Sequence, residues 1–230
     1  MAINLLNLGT TMFISLVGMS GSGKSWWGRK LRDELGFKLI CCDDLIAETL
    51  VQELPTGYSK QTEALAHWLG TPFDQRYAQR RAIYLHHERE ALLHALSEVD
   101  KSMAVEDLAR RPNIVIDTTG SVIYLDNEVL QKMQQLSLVV YLSLAEQEAG
   151  TLFRRYMKRP KPIIWQENFR LDPNLPRHDI LFHNFAALNR DRQERYRWLA
   201  KVNVGLEECN ADYMKASEFI EKINDHLYEK

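Results

Sequence analysis

The pattern that most constrains this chain is a glycine-rich segment near its start, where residues 18–25 read Gly-Met-Ser-Gly-Ser-Gly-Lys-Ser. This segment matches the spacing G-x-x-x-x-G-K-[ST] at every fixed position. Glycines let the backbone curl until successive N–H groups point inward and form a nest for an anion. A helix that begins after such a loop adds its unpaired N-terminal donors and its positive dipole end. The segment therefore predicts a phosphate-binding loop between a strand and a helix.

Two side chains of this loop and one from a later strand predict the chemistry of the bound group. Lys24 is expected to reach the β- and γ-phosphates of a nucleotide, and the Ser25 hydroxyl to ligate Mg²⁺. Asp117 ends an apolar run at Ile114–Ile116, as a Walker B metal carboxylate does. The alternative for Asp117 is a strand-end residue that caps the next turn. The predicted nucleotide-binding residues of the loop are Gly18, Ser20, Gly21, Ser22, Gly23, Lys24 and Ser25.

Composition bounds the class of protein and its partners. The 230 residues suit one α/β domain with an insertion or lid, and the formal net charge of −2 gives no basic field for nucleic acid or anionic membrane. Three cysteines make neither a disulfide framework nor a zinc pattern. No run of 18 apolar residues is present, and Met1–Met19 lacks the features of a signal peptide. We expect a cytoplasmic protein that acts on a small molecule, with its oligomeric state left open.

Hydrophobic periodicity predicts alternating strands and helices. Such alternation is typical of βαβ crossovers and of a parallel sheet with helices on both faces. The predicted strands are Met12–Val17, Lys38–Cys42, Ile114–Ile116, Leu138–Leu142 and Lys201–Val204. The predicted helices are Ser25–Leu35, Tyr77–Leu96, Leu144–Tyr156, Ala187–Leu199 and Ala216–Leu227.

Two proline-containing stretches interrupt this alternation of strands and helices. Val51–Asp74 contains Pro55 and Pro72 and is predicted as an excursion between the second and third strands. Arg159–Arg177 has no periodicity, and a long loop of that kind is usually functional or disordered. Five positive charges within residues 154–161 favour a cationic lid that closes over bound phosphates, although a solvated surface charge run is the alternative.

The loop, the segment Cys-Cys-Asp-Asp-Leu-Ile at residues 41–46 and Arg159-Pro160 together resemble shikimate kinase and its relatives, small P-loop kinases related to nucleoside monophosphate kinases. The resemblance extends, with interruptions, from about Phe13 to Leu227. It implies a single three-layer α/β/α P-loop NTPase domain over residues 1–230, with a five-stranded parallel sheet in the order 2-3-1-4-5. It also implies a substrate-binding excursion at about 47–100, a lid at about 154–177, and transfer from ATP, with Mg²⁺, to a small-molecule hydroxyl.

The resemblance also assigns roles to individual residues. Asp43 matches the aspartate of the D-x-x-I pattern that orients the accepting hydroxyl and helps to deprotonate it. Arg159 and Arg192 match arginines that contact the substrate carboxylate. Arg154 and Arg155 both lie where a lid arginine meets the nucleotide phosphates, and the choice between them is open. The predicted catalytic residues are Lys24, Asp43 and Arg159.

The chain departs from the family pattern in its acceptor site. The family's G-G-G after the third strand is Thr118–Gly120 here, and Leu85 stands where a third carboxylate-binding arginine belongs. Arg81, one helical turn before Leu85, is a candidate substitute. Cys41 replaces the first carboxylate of D-x-D, which leaves Asp117 as the candidate near magnesium. The predicted substrate-binding residues are Asp43, Arg81, Thr119, Gly120, Arg159 and Arg192.

Three hypotheses for function follow. The first is ATP- and Mg²⁺-dependent phosphoryl transfer to a hydroxyl of a small anionic metabolite, as in shikimate kinase. The second is a kinase of nucleosides, nucleotides or coenzyme precursors, because guanidinium forks match phosphate as well as carboxylate oxygens. The third is a nucleotide-binding regulatory protein without metabolite kinase activity, since several acceptor-site residues differ while the phosphate loop is complete.

Overall fold

The computed structural model of the chain describes residues 11–144, 149–165, 169–209 and 213–228. Strands and helices alternate through most of it. The strands are β1 (Phe13–Val17), β2 (Lys38–Cys41), β3 (Ile114–Asp117), β4 (Leu138–Ser143) and β5 (Val202–Gly205). The helices are α1 (Lys24–Leu35), α2 (Cys42–Thr49), α3 (Gln61–Leu69), α4 (Tyr77–Met103), α5 (Asn127–Leu136), α6 (Ala149–Lys158), α7 (Arg177–Leu199) and α8 (Ala216–Tyr228).

The five strands form one parallel sheet in the order β2-β3-β1-β4-β5, which confirms the order implied by the resemblance. Register brings the carboxyl ends of the central strands together. Asp117 of β3 lies opposite Cys41 on one side and Leu16 on the other. The phosphate loop leaves β1 at this same edge, where ligands bind in open α/β sheets.

The strands are apolar on both faces because helices cover both. On β3, Ile114 and Ile116 belong to one apolar cluster and Val115 belongs to the other, as alternation along a strand requires. One face packs against α1 and α8, where the rings of Trp27 and Phe219 stack with their centroids 4.0 Å apart. The opposite face packs mainly against α2, α4, α5 and α7. The chemistry of the site lies at the edge between these layers.

The predicted elements were recovered, but several helices are longer or additional. Helix α4 continues to Met103 and α7 begins at Arg177, ten residues before its predicted start. Aromatic packing explains the early start of α7, since Phe185 near its beginning contacts Phe153 of α6. Helices α2 and α5 were not predicted, and the Val51–Asp74 excursion contains α3.

The predicted helix at Leu144–Tyr156 corresponds to α6, which begins at Ala149. Residues 145–148 of that prediction lie outside the described residues. A search of the described helices finds none that is long and apolar enough to cross a membrane.

Candidate active site

The predicted phosphate loop lies between β1 and α1, in the context that the motif requires. Gly18, Gly21 and Gly23 have φ of 146°, 87° and 90°, a region that side chains other than glycine's rarely adopt. A Cβ on Gly18 would lie 2.8 Å from both the Leu142 carbonyl oxygen and Ser22 Oγ. At the end of the loop, the N–H of Trp27 donates to the Gly23 carbonyl at 2.9 Å and closes the first turn of α1. The loop is therefore built by local backbone geometry.

Lys24 is held inside this loop by backbone oxygens. Its ammonium donates to the carbonyls of Gly18 at 2.7 Å and Met19 at 3.1 Å. Burial lowers the pKa of Lys24 to about 8, and the Asp117 carboxylate partly opposes this effect. No residue in the described ranges forms a salt bridge within 4 Å of this ammonium. A positive charge held only by carbonyls next to an anion nest is suited to binding phosphate oxygens.

Asp117 and Cys41 meet where β3 and β2 end. Asp117 is buried, and the Cys41 thiol donates to its Oδ2 at 3.6 Å. Burial and the neighbouring carboxylates raise the pKa of Cys41, so this side chain stays a thiol. Within the described part of the chain, no backbone N–H donates to the Asp117 carboxylate, which is not the arrangement of a turn cap.

Magnesium and a nucleotide fit this edge of the sheet by the chemistry of its donors. The Ser25 hydroxyl and the Asp117 carboxylate are hard oxygen ligands of the kind that Mg²⁺ prefers, and the loop offers N–H donors for phosphates. The search of described residues finds no group of three His, Cys, Asp or Glu that could hold a metal. A site with only one or two protein ligands is typical of Mg²⁺ that keeps several waters and binds with nucleotide phosphates.

An open cleft of about 570 Å³ lies beside this edge. Its walls come from α1, from the end of β2, from α2, from the start of α3 and from the segment after α6. Three predicted site residues line it: Ser25, Asp43 and Arg159. The complete lining is Ser25, Arg29, Cys41, Asp43, Asp44, Glu48, Lys60, Gln61, Thr62, Glu63, Arg159, Pro160 and Lys161.

Charged side chains of both signs face this cleft without pairing. Among the described residues, no salt bridge within 4 Å involves any of its four cations or four carboxylates. The cations are Arg29, Lys60, Arg159 and Lys161. Charges that do not neutralise one another can bind a ligand that carries anionic groups.

Asp43 is the carboxylate best placed to act on an acceptor in the cleft. Burial raises the pKa of Asp43 above its usual range, while the Lys161 and Lys24 ammonium groups oppose that rise. The Tyr84 hydroxyl donates to Asp43 Oδ1 at 3.3 Å. A partly buried carboxylate with a defined hydrogen-bond donor is able to orient a hydroxyl and to accept its proton.

Three other predicted acceptor residues, Thr119, Gly120 and Arg192, lie outside the cleft lining, and the side chains of Thr119 and Arg192 are buried. Thr119 is 2% exposed, and its hydroxyl donates to Glu88 Oε1. The Tyr196 hydroxyl donates to the Gly120 carbonyl. A Cβ on Gly120 would lie 3.2 Å from Arg192 Nη1 and 3.3 Å from the Ser20 nitrogen, so a side chain here would require these neighbours to shift by a few tenths of an ångström.

Arg192 is 1% exposed and is already bound by protein groups. Its Nη2 donates to the Ile164 carbonyl at 2.7 Å, and its Nε donates to the Tyr124 hydroxyl at 3.2 Å. The N–H of Trp165 donates to the Tyr77 hydroxyl at 2.6 Å. The segment at 163–165, which we call the strap, is thus fixed to both α7 and α4.

Three other predicted site residues, all arginines, do not line the cleft. Arg154 and Arg155 are exposed on α6 and do not line the cleft, and Arg154 Nη2 donates to Thr151 Oγ1 at 2.9 Å. Arg81 is half-buried on α4 and forms no side-chain hydrogen bond or salt bridge with another described residue. Their predicted roles stay predictions.

Sequence reasoning missed several residues that the structure places at or behind the cleft. Lys161 lines the cleft close enough to Asp43 to affect its pKa, and its place in the basic segment was the available signal. Lys60 and Arg29 gave no signal because a lone cation is usually solvated. Glu88 and Tyr84 are four residues apart on α4, a spacing that puts them on one helical face.

No family model matches the chain, and no curated protein sequence matches it. Solved structures of shikimate kinases do match. That from Acinetobacter baumannii, in complex with shikimate, is 21% identical with a TM-score of 0.58, over 94% of this chain and 92% of that one.

Two further shikimate kinases agree with this match. The enzyme from Bacteroides thetaiotaomicron is 18% identical with a TM-score of 0.59, over 95% of this chain and 99% of that one. The enzyme from Aquifex aeolicus is 18% identical with a TM-score of 0.53, over 95% and 100%. Identities this low establish similarity of fold. The chain therefore has the P-loop kinase fold that these shikimate kinases share.

Proposed function

We propose that this protein is a kinase that transfers a phosphoryl group from ATP, with Mg²⁺, to a hydroxyl of a small anionic metabolite. The observation that carries the proposal is the cleft of about 570 Å³ between the phosphate loop and Asp43, whose lining includes four cations that form no salt bridge within 4 Å among the described residues. Phosphoryl transfer asks a protein mainly for positioning and for neutralisation of charge. This cleft offers both.

Each residue in the proposal has a role that its surroundings permit. The loop N–H groups and Lys24 bind the nucleotide phosphates, and Ser25 with Asp117 would hold Mg²⁺, which when bound neutralises phosphate charge. Asp43 orients the accepting hydroxyl and takes its proton. Arg159 and Lys161, on the segment after α6, supply positive charge from the opposite wall of the cleft.

The anionic character of the acceptor is supported by the same wall. Arg159, Lys161, Lys60 and Arg29 line a cleft in which the phosphate loop alone would already suit the nucleotide. Guanidinium and ammonium groups that do not contact the nucleotide would be able to pair with a carboxylate or a phosphate of the acceptor.

A nucleoside, nucleotide or coenzyme precursor is the second candidate acceptor. The observation that favours it is the excursion between β2 and β3, because the start of α3 contributes Lys60, Gln61, Thr62 and Glu63 to the cleft wall. Polar groups on this wall would give a nucleoside or nucleotide further hydrogen-bond partners besides Asp43.

The experiment that tests both candidates is ADP release from ATP and Mg²⁺ with an acceptor panel: shikimate, adenosine, AMP and no addition. Lys24→Ala is the blank, and Lys30→Ala, which removes an ion-paired lysine of the same helix, is the matched control. Shikimate-dependent release supports the anionic metabolite. Release that depends on adenosine or AMP supports the second candidate.

The same experiment can reject the proposal. ATP binding without acceptor-dependent ADP release, across this panel and a broader set of hydroxylated anions, would leave a nucleotide-binding regulatory protein. Residual turnover in Lys24→Ala equal to that of the wild type would show that the loop is not the site of transfer.

A further inference from the structure

The strap is held by two different helices through consecutive backbone groups. The Ile164 carbonyl accepts from Arg192 Nη2 of α7 at 2.7 Å, and the Trp165 N–H donates to the Tyr77 hydroxyl of α4 at 2.6 Å. All three strap residues are at most 2% exposed, so their backbone groups depend on protein partners. Two hydrogen bonds from distant parts of the chain therefore fix the strap.

Two cations of the cleft lie on the same segment, just before the strap. Arg159 and Lys161 line the cleft, and Pro160 and Pro162 alternate with them along the chain. A proline ring fixes φ near about −65°, so this segment has less backbone freedom with which to absorb a displacement of the strap. At its other end, the Arg159 N–H donates to the Arg155 carbonyl of α6 at 2.9 Å. The positions of both cations thus depend on the strap as well as on α6.

The Arg192 guanidinium is committed to protein groups. It is 1% exposed, and among the described residues it forms no salt bridge within 4 Å. Besides the Ile164 carbonyl, it donates to the Tyr124 hydroxyl at 3.2 Å and, at 3.9 Å, to the sulfur of Met19 in the phosphate loop. The contact with the carbonyl is the shortest of the three, and hydrogen bonds from an ionised donor are stronger than neutral ones. Arg192 thereby joins the strap to the phosphate loop.

We propose that Arg192 and Tyr77 are positioning residues that act through the strap: they hold Arg159 and Lys161 on the cleft wall at a fixed place relative to the phosphate loop. The inference rests on the proposed function for its catalytic meaning, because the two cations would neutralise charge during transfer. It differs from the role that the resemblance implies for Arg192, which is contact with the acceptor. Neither Arg192 nor Tyr77 lines the cleft.

Hydrogen exchange and acetylation of lysines by acetic anhydride, both followed by mass spectrometry on the full-length, ligand-free protein, test this role. Arg192→Met and Tyr77→Phe each remove one hydrogen bond of the strap. Each should speed exchange of the Trp165 amide about tenfold. Each should also raise acetylation of the half-buried Lys161 about threefold relative to Lys60, the exposed lysine of the same cleft. Amides of β1 should keep their wild-type rates, which distinguishes local release from global unfolding.

Two substitutions are matched controls. Arg197→Met removes an exposed guanidinium of α7 that bonds Gln193, and Tyr141→Phe removes the hydroxyl of a buried tyrosine that hydrogen-bonds no described residue. Both should leave exchange in the strap and acetylation of Lys161 unchanged. Tyr77→Phe keeps the shape of its ring, so this variant decides the test even if the arginine variant fails to fold.

Acceptor-dependent ADP release then separates positioning from direct contact. If Arg192 acts through the strap, Tyr77→Phe should lower kcat/KM about threefold, in the same direction as Arg192→Met. In a protein that already carries Arg159→Ala and Lys161→Met, Arg192→Met should cost less than about twofold further, because the cations that it positions are absent. A loss in Arg192→Met that persists in that background, with Tyr77→Phe unaffected, would show direct contact with the acceptor and overturn the proposal.

Two results without any substrate would also overturn it: unchanged exchange in the strap of both variants, or faster exchange with unchanged acetylation of Lys161. The latter would mean that α6 alone places the cations. These measurements need neither ATP nor an acceptor, so their failure is distinguishable from a failure of the proposed function. If no acceptor supports ADP release, faster exchange together with stronger acetylation would still support the strap as the element that holds Lys161 at the cleft.

Discussion

The phosphate loop and the proposed acceptor side of this protein are built in different ways. The phosphate loop is eight consecutive residues, and its shape follows from left-handed glycines and from hydrogen bonds within the loop and to α1. The proposed acceptor side takes Asp43 from α2, Glu88 from α4, Thr119 from the loop after β3, Arg159 from the segment after α6 and Arg192 from α7. A contiguous site depends on local backbone geometry, whereas an assembled site depends on how distant elements pack.

The two sides also differ in which residues hydrogen-bond their buried charged groups. Lys24 is buried and held by carbonyls of its own loop. Behind the acceptor cleft, Arg192 is held by the strap and Glu88 by two hydroxyls, so each buried charge or potential charge relies on a partner far away in sequence. Substitutions should therefore act locally on the first side and through neighbouring elements on the second.

The largest expected loss of stability comes from a substitution in the phosphate loop. Gly18→Ala places a Cβ 2.8 Å from two oxygens at φ 146°, and strain plus overpacking should lower the free energy of unfolding by about 4 kcal/mol. Gly36→Ala is the matched control: its φ is 71° but nothing lies within 4 Å of the added Cβ, so about 1 kcal/mol is expected. Urea unfolding measures both. Equal losses in the two variants would contradict the steric argument.

A smaller loss of stability should follow from removing the hydrogen bond that joins α7 to the strap. Arg192→Met leaves the buried Ile164 carbonyl without its donor and releases the strap from α7, and we expect about 3 kcal/mol of destabilisation. Arg197→Met on the same helix removes an exposed guanidinium whose hydrogen bond, among the described residues, is to Gln193, and it should cost less than about 0.5 kcal/mol. Urea unfolding is again the measurement, and similar midpoints for the two variants would show that the strap contact contributes little.

The pH dependence of stability should separate the two sides further. The pKa of Glu88 is raised from 4.5 to about 8 in the folded state, so the folded protein binds the extra proton and loses stability as pH rises between about 4.5 and 8. We expect the wild type to lose stability over that range and Glu88→Gln to show no such loss. Lys24, whose pKa is lowered to about 8, acts in the opposite direction above pH 8 in both proteins and cancels in the difference. Parallel curves for the two proteins would contradict a raised pKa at Glu88.

The smallest effect concerns the cations of the cleft. Arg159 lines the cleft and Arg154 does not, so Arg159→Ala should lower kcat/KM for acceptor-dependent ADP release about tenfold, or about 1.4 kcal/mol. Arg154→Ala removes an exposed guanidinium that bonds Thr151 and should change kcat/KM less than about twofold. A larger effect in Arg154→Ala would place that arginine, rather than Arg159, against the transferred phosphate.

What the sequence alone determined is the part of the protein in which neighbours in the chain are also neighbours in space. Residues 18–25 predicted the loop, alternating apolar runs predicted the parallel sheet, and the resemblance predicted its strand order. These features depend on backbone conformation and on short-range periodicity, which a linear pattern records directly.

Only the tertiary structure decided which polar groups are buried and which face the cleft. Arg159 and Arg192 were predicted for the same carboxylate, yet Arg159 lines the cleft while Arg192 is enclosed by the strap and α7. Glu88 looked like one acidic residue on a charged helix, and its raised pKa arises from burial beside Asp43. Desolvation is produced by all the segments that pack around a group, and no stretch of sequence around Glu88 or Arg192 contains them.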